Sequence, residues 1–221
     1  MNSEEAEEIQ DVSRRRFFQL TGGIAGAGIL LSATPLTAGT FSTNMGKGDT
    51  ALLNFLYILQ QIESAFYTEA VAQQNGLSNT ELATLLSVQK QEATHTKILK
   101  KMLGSKAVGD VATNFTAVTF SDRGSLLKHA ATIEDMVVAG LNGAAGLFEN
   151  SDHPLALSKM VMAEAGHSAY FRNKLSLNSF GDDVAADGLD QTMPPAAVLA
   201  LAEAYTHTQF DKTNLPNHTN I

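Results

Sequence analysis

Glu92-Ala-Thr-His95 and Glu164-Ala-Gly-His167 are two copies of Glu-x-x-His, and each follows a lone glutamate at nearly the same distance. Glu63 leads Glu92 by 29 positions and Glu134 leads Glu164 by 30. On a helix, residues three apart share a face, so each Glu-x-x-His presents a carboxylate and an imidazole together. One Glu and one Glu-x-x-His from each of two helix pairs make the ligand set of a dinuclear metal site in a four-helix bundle. The candidate metal residues are therefore Glu63, Glu92, His95, Glu134, Glu164 and His167. Either Glu-x-x-His alone would usually be a solvated pair; the repeat is what points to metal.

The surrounding registers place these residues inside. Leu85, Glu92 and Leu99 are seven apart, as are Leu127, Glu134, Leu141 and Phe148, and again Leu157, Glu164 and Phe171. Glu63 lies between Leu59 and Phe66 on the apolar stripe of its own helix. Each glutamate holds a position that packing would otherwise give to Leu or Phe. Burying even one unpaired charge costs several kcal/mol, roughly, after relaxation. Two divalent cations cancel four carboxylates, and two neutral imidazoles add ligands without adding charge. The competing reading is an internal hydrogen-bond network.

Composition narrows the chemistry. There are no cysteines, which excludes disulfides, thiolate metal sites, iron–sulfur clusters and a Cys nucleophile together. Any metal must be held by oxygen and imidazole nitrogen, a set that suits iron, manganese or zinc. The formal charge of −8 argues against a nucleic-acid surface, and no basic stripe occurs outside the first twenty residues. Hydrophobic residues at 44% and charged residues at 17% fit an ordered globular chain.

Four long helices must position the ligands. The first is expected over about 49–74, with Leu52, Phe55, Leu56, Leu59, Ile62, Phe66 and Ala70 inward and Gly76 ending it. Ser78-Asn79-Thr80-Glu81 reads as a capping box opening the second, whose stripe is Leu82, Leu85, Leu86, Leu99 and Leu103 before Gly104. Residues 105–122 lack helical periodicity, and 111–120 is β-flavoured. So long a loop is unusual, but a bundle of this ligand type needs one long crossover between its second and third helices. The third helix covers about 125–149. Asp152 and Pro154 read as cap and first turn of the fourth, which runs to about Leu175. Pro194 and Pro195 start a shorter helix to about Thr206, and the remainder reads as a frayed tail.

The N-terminus does not read as part of this fold. After an acidic stretch come Ser13-Arg14-Arg15-Arg16-Phe17-Phe18-Gln19-Leu20, then a Gly-rich, mildly apolar run from Thr21 to Leu31 and small residues near Ala38. Charged, apolar and small-residue regions in that order make an export signal. The paired arginines resemble a twin-arginine signal, whose pathway exports folded proteins. The run is shorter than the roughly 20 apolar residues of a membrane helix. Cleavage near Ala38 and a retained anchor both stay open, and the bland alternative is a basic tail with affinity for anionic lipid. The expected organisation is an export signal over 1–38, a linker over 39–48, a bundle domain over 49–210 and a flexible tail over 211–221.

With these residues in view, the stretch from Asp49 to Leu175 resembles the ferritin-like superfamily, and within it the secreted ferritin-like and desiccation-related group. Ile62-Glu63-Ser64-Ala65-Phe66-Tyr67, Ile133-Glu134-Asp135 with Leu141-Asn142-Gly143-Ala144-Ala145, and Glu164-Ala165-Gly166-His167-Ser168-Ala169-Tyr170 carry the likeness. It implies an all-α, ferritin-like four-helix bundle with a long crossover and a short C-terminal helix. It also implies a pair of iron or manganese ions on the six residues named above. Fold resemblance says little about reaction. The expected function is an exported protein with a dinuclear iron or manganese centre, acting on O₂ or peroxide or protecting through metal binding. A manganese-catalase-like enzyme is one alternative, and a non-enzymatic desiccation or stress protein with a structural metal is the other. Expected partners are the metal ions, O₂ or peroxide and the twin-arginine export machinery, with a periplasmic or secreted location; a homo-oligomer is left open.

Among the neighbours, Tyr67 and Tyr170 share the ligand faces and read as core residues with a secondary prospect of bonding a ligand. Gly140, Gly143 and Gly146 recur every third residue, which close packing would explain. His129, His153, His207 and His218 fall outside any Glu-x-x-His frame and read as surface or capping residues.

Overall fold

From Ala51 to Gln60 every residue is buried, so this stretch of the first helix has no solvent face. A helix apolar all round belongs in the middle of a structure. The structure, a computed structural model, describes residues 43–73, 76–182 and 188–217. In it this helix, α1 (Gly48–Ala72), packs along α2 (Asn79–Leu103), while α3 (Arg123–Ala145) packs along α4 (Asp152–Leu175). The two pairs join through α1 against α3, and the short α5 (Pro195–Ala202) lies over both. The helices α1 and α3 are thus internal. By contrast α2 and α4 bury one face each and leave Leu86, Ile98, Leu155 and Met162 exposed. The fold is all-α, a four-helix bundle with a short C-terminal helix, as expected.

Local chemistry sets the helix ends. The Ser78 hydroxyl accepts from the Glu81 N–H while the Glu81 carboxylate accepts from the Ser78 N–H, completing the capping box. Glu81 also pairs with Arg123 at the start of α3, tying two helix N-termini together. The Arg123 guanidinium and the two Ser78 donors hold the Glu81 carboxyl down at about 2 against the opposing effect of burial. Gly104 ends α2 at φ 56°, a left-handed conformation that glycine adopts without steric cost.

Four details differ from expectation. Leu86 is exposed, because the outer face of α2 turns away from the core there. Asp122 caps α3, its side chain accepting from the Ser125 N–H, and the helix ends at Ala145 rather than Glu149. Ser151, not Asp152, precedes α4, and its side chain makes no cap; Asn150 instead accepts from the Asp152 N–H. His129 is buried, with Nδ1 3.0 Å from the Tyr205 hydroxyl, so it is neither a surface nor a capping residue.

The crossover from Gly104 to Asp122 forms no strand; its one β contact is an isolated bridge from Thr113 to Thr206. It is pinned by buried Asn54, whose amide donates to the Lys106 carbonyl and accepts from the Val108 N–H. Phe115 and Phe120 then pack on Phe66, with ring centroids 5.7 and 5.4 Å away. The chain beyond Thr206 is packed rather than frayed up to Leu215: Thr43 bridges to Phe210, and Phe210 and Leu215 are buried. Met45, in the stretch read as linker, is buried too. Residues 1–42, read as export signal and linker, lie outside the described residues, as does His218. Among the described residues no helix is long and apolar enough to cross a membrane.

The close packing expected at the α3 glycines occurs at two of them. At Gly140 a β-carbon would press on Leu59, Phe55 and Val198. At Gly143 it would overlap the backbone carbonyl of Met193, in a segment strapped to α3 by the Met193 N–H donating to the Ala139 carbonyl. Gly146 is instead the C-cap of the helix. These contacts yield a paired prediction. Gly143→Ala should destabilise by about 1–3 kcal/mol, because backbone cannot move aside as a side chain can. Gly166→Ala on α4, where nothing lies within 4 Å, should stabilise by up to ~1 kcal/mol through helix propensity. Urea unfolding of the two variants checks the opposite signs.

Candidate metal centre

Each of the four long helices brings its ligand to the same level of the bundle. Glu63, Glu92, Glu134 and Glu164 are all 0% exposed, from α1, α2, α3 and α4 respectively. His95 and His167, one turn beyond their glutamates, keep 11% and 10% of their side chains exposed. Ligand atoms of Glu92, Glu134, Glu164 and His167 lie within 4.8 Å of one another, a group that could hold a metal ion. His95 joins the cluster through Nδ1, 3.1 Å from Glu92 Oε2 and 2.9 Å from Glu164 Oε1. Glu63 joins it through Gln60, whose amide donates both to Glu63 Oε2 and, at 2.7 Å, to Glu164 Oε1. All six sequence-predicted residues therefore meet in one place.

The four carboxylates share a pattern. One oxygen of each is engaged: Glu63 Oε2 by Gln60, Glu134 Oε1 by the Tyr67 hydroxyl, Glu92 Oε2 by His95, and Glu164 Oε1 by both Gln60 and His95. The other oxygen of each, Glu63 Oε1, Glu92 Oε1, Glu134 Oε2 and Glu164 Oε2, is buried with no hydrogen-bond partner. His167 Nδ1 lies 3.2, 3.5 and 3.4 Å from Glu92 Oε1, Glu134 Oε2 and Glu164 Oε2, within ion-pair range but outside hydrogen-bond geometry. Buried polar atoms are normally paired, and each orphan costs about 1–3 kcal/mol or more when charged. Those on Glu92, Glu134, Glu164 and His167 face one another, an arrangement that could hold a cation, and oxygen and imidazole donors suit iron or manganese.

Electrostatics point the same way. Burial pushes the Glu63 carboxyl well up, and the nearby Glu164, Glu134 and Glu92 push it further. Burial also raises Glu134 well above the ordinary carboxylate range. For Glu164 burial is overridden by His167 and His95, which bring it down to about 2. The same contacts, again against burial, raise His95 to about 9 and His167 to about 12. The cluster draws in positive charge wherever it can. A bound metal ion would satisfy that demand in place of protons and so release them.

A supporting framework lies one residue beyond each histidine. The Thr96 hydroxyl on α2 bonds the Gln60 carbonyl of α1 at 3.0 Å. The Ser168 hydroxyl on α4 bonds Asp135 of α3, which Arg172 grips from the same side. Spacing could have flagged Gln60, which precedes Glu63 by three and so shares its face. The roles of Asp135, Ser168 and Arg172 required knowing which helices pair. Tyr67 does bond a candidate ligand, whereas the Tyr170 hydroxyl is buried without a partner and its ring lies 5.4 Å from Lys174 Nζ.

Residues 48–177 match the family model of the ferritin-like domain, a span running from the first residue of α1 to just past α4. A comparison with curated proteins gives no match.

The hydroxyl on Glu134 generates a prediction. Tyr67→Phe keeps the ring, which stacks on Phe171 with centroids 5.9 Å apart, and removes only the donor. The metal-free variant should lose about 1–3 kcal/mol, since Glu134 then has neither oxygen satisfied by hydrogen bonding. Thermal unfolding of metal-free wild type and variant measures it.

Proposed function

Because this chain belongs to the ferritin-like domain family, we propose that it is an exported protein holding two iron or manganese ions on Glu63, Glu92, His95, Glu134, Glu164 and His167. The observation that carries the reading is the set of five buried, unpartnered donor atoms, one on each residue of the set except His95. Bound iron or manganese would supply redox chemistry toward O₂ or peroxide. The chain's own residues account for the rest. Tyr67 holds one oxygen of Glu134 and turns the other inward. Leu85, Leu99, Leu141, Phe66 and Phe171 surround the ligands with buried apolar side chains that exclude bulk water. In that setting neutral imidazoles complete the ligand set, and two dications balance four carboxylates.

Metal analysis tests this. Purified protein should bind close to two ions per chain, and Glu92→Ala combined with Glu164→Ala should lose most of them, because the remaining ligands under-neutralise the cations. Full retention of both ions in the double variant would end the proposal. Evolution of O₂ from peroxide by the loaded protein would assign a manganese-catalase-like activity. Binding without turnover would assign the non-enzymatic, stress-protective role.

The export component rests on Arg14 and Arg15 ahead of Phe17-Phe18-Gln19-Leu20. Replacing both arginines with Lys should strand the protein in the cytoplasm, as fractionation would show. Unchanged export would mean that the segment is a different signal.

A further inference from the structure

The two halves of the cluster are not alike, although the ligand sequence repeats. On one side, Glu92 Oε1, Glu134 Oε2 and Glu164 Oε2 face His167 Nδ1 at 3.2, 3.5 and 3.4 Å, and among the described residues none of these atoms accepts from a neutral donor. On the other side Glu63 Oε1 is unpartnered too, but the facing oxygens are held by a neutral amide. Glu63 Oε2 and Glu164 Oε1 both accept from the Gln60 amide, and His95 Nδ1 lies against Glu164 Oε1 and Glu92 Oε2. Gln60 therefore stands between two carboxylates from different helices, α1 and α4, where a second cation would be shared. Its amide N–H₂ does there what a cation would do.

The repeat offers no equivalent in the second half. Gln60 precedes Glu63 by three, and the residue three before Glu134 is Ala131, a small apolar side chain in the core. The donor for Glu134 also comes from α1, namely Tyr67. Gln60 is itself fixed, being 1% exposed and tethered through its carbonyl to the Thr96 hydroxyl of α2.

We propose that Gln60 is a positioning residue that holds the Glu63–Glu164 half of the site until an ion displaces its amide, so that the two metal positions load unequally. The first ion would go to Glu92, Glu134, Glu164 and His167, where no amide stands between the carboxylates. The second position, on Glu63 and His95 with Glu92 and Glu164 shared, requires the Gln60 amide to give up both carboxylates. The inference rests on the dinuclear reading above and adds an order and a residue that sets it.

Calorimetric titration of the metal-free full-length chain with Mn²⁺ tests it. Wild type should show two steps, the second weaker. Gln60→Met, which keeps the volume but has no donor, should tighten the second step by about tenfold, the worth of one hydrogen bond to a charged group that no longer has to be displaced, and leave the first unchanged. The same variant should melt at a lower temperature than wild type when metal-free, having left two carboxylates without their donor. A purely structural role would lower the melting temperatures of metal-free and loaded protein equally and shift neither binding step. Gln60→Ala repeats the test should the Met variant pack poorly. Two equal steps in wild type, or a second step unchanged or weakened in both variants, would overturn the proposal for Gln60 alone. Wild type that takes up no Mn²⁺ or Fe²⁺ would overturn the dinuclear reading with it.

Discussion

Four carboxylates with no solvent exposure meet in one apolar core, and most of what is unusual in this chain follows from that. Mutual repulsion and desolvation would drive them apart or force them to take up protons. The structure opposes this in two ways. It gives one oxygen of each carboxylate a neighbouring donor, and it sets two histidines against them. What is left over is a concentration of negative potential with a defined shape. Such a site is a cost to the apoprotein and a source of stability for whatever cation fills it.

The division of labour between helices follows from the same constraint. Internal helices α1 and α3 are buried on nearly every side and contribute one glutamate each, and α1 adds the neutral donors Gln60 and Tyr67. The outer helices α2 and α4 contribute the histidines, the only ligand candidates with any side-chain exposure. Each packs extensively on its own partner, α2 on α1 and α4 on α3, and little on the other outer helix. On the far side α5 and the Met193 segment close over α1 and α3, through contacts that need Gly140 and Gly143.

Much of this was legible in the sequence because it is periodic. Heptad spacing located Glu92, Glu134 and Glu164 among Leu and Phe, and a ligand pair three residues apart needs only helical geometry to share a face. The capping box at Ser78 was legible for the same local reason. Tertiary choices were not. Leu86 fits the stripe of α2 yet faces solvent, because a one-sided outer helix has a narrower buried face than its apolar residues suggest. His129 lacked any ligand spacing and was buried by Tyr205, a residue 76 positions away. Phe210 and Leu215 sit in a polar stretch without periodicity, and only their docking against the bundle orders them.

Precision at the cluster depends on keeping four helices in register along their axes, since a slip of one residue, about 1.5 Å, would take a ligand out of reach. Apolar packing alone resists such sliding weakly when neighbouring side chains are similar. Directional bonds resist it well, and both helix pairs have one at the same place. The residue after His95 is Thr96, which bonds α1, and the residue after His167 is Ser168, which bonds α3. In the second pair Arg172 adds a two-oxygen grip on Asp135, the residue after Glu134. Among the described residues the first pair has no such ion pair, and its hydroxyl ends on the backbone of Gln60, whose side chain in turn reaches across to Glu164 of the other pair. Register in α1–α2 is therefore coupled to α4 through the ligands themselves, whereas α3–α4 is locked independently of them. The half of the cluster built on Glu134 and His167 accordingly has a tie within its own helix pair behind it, and no amide stands between its carboxylates.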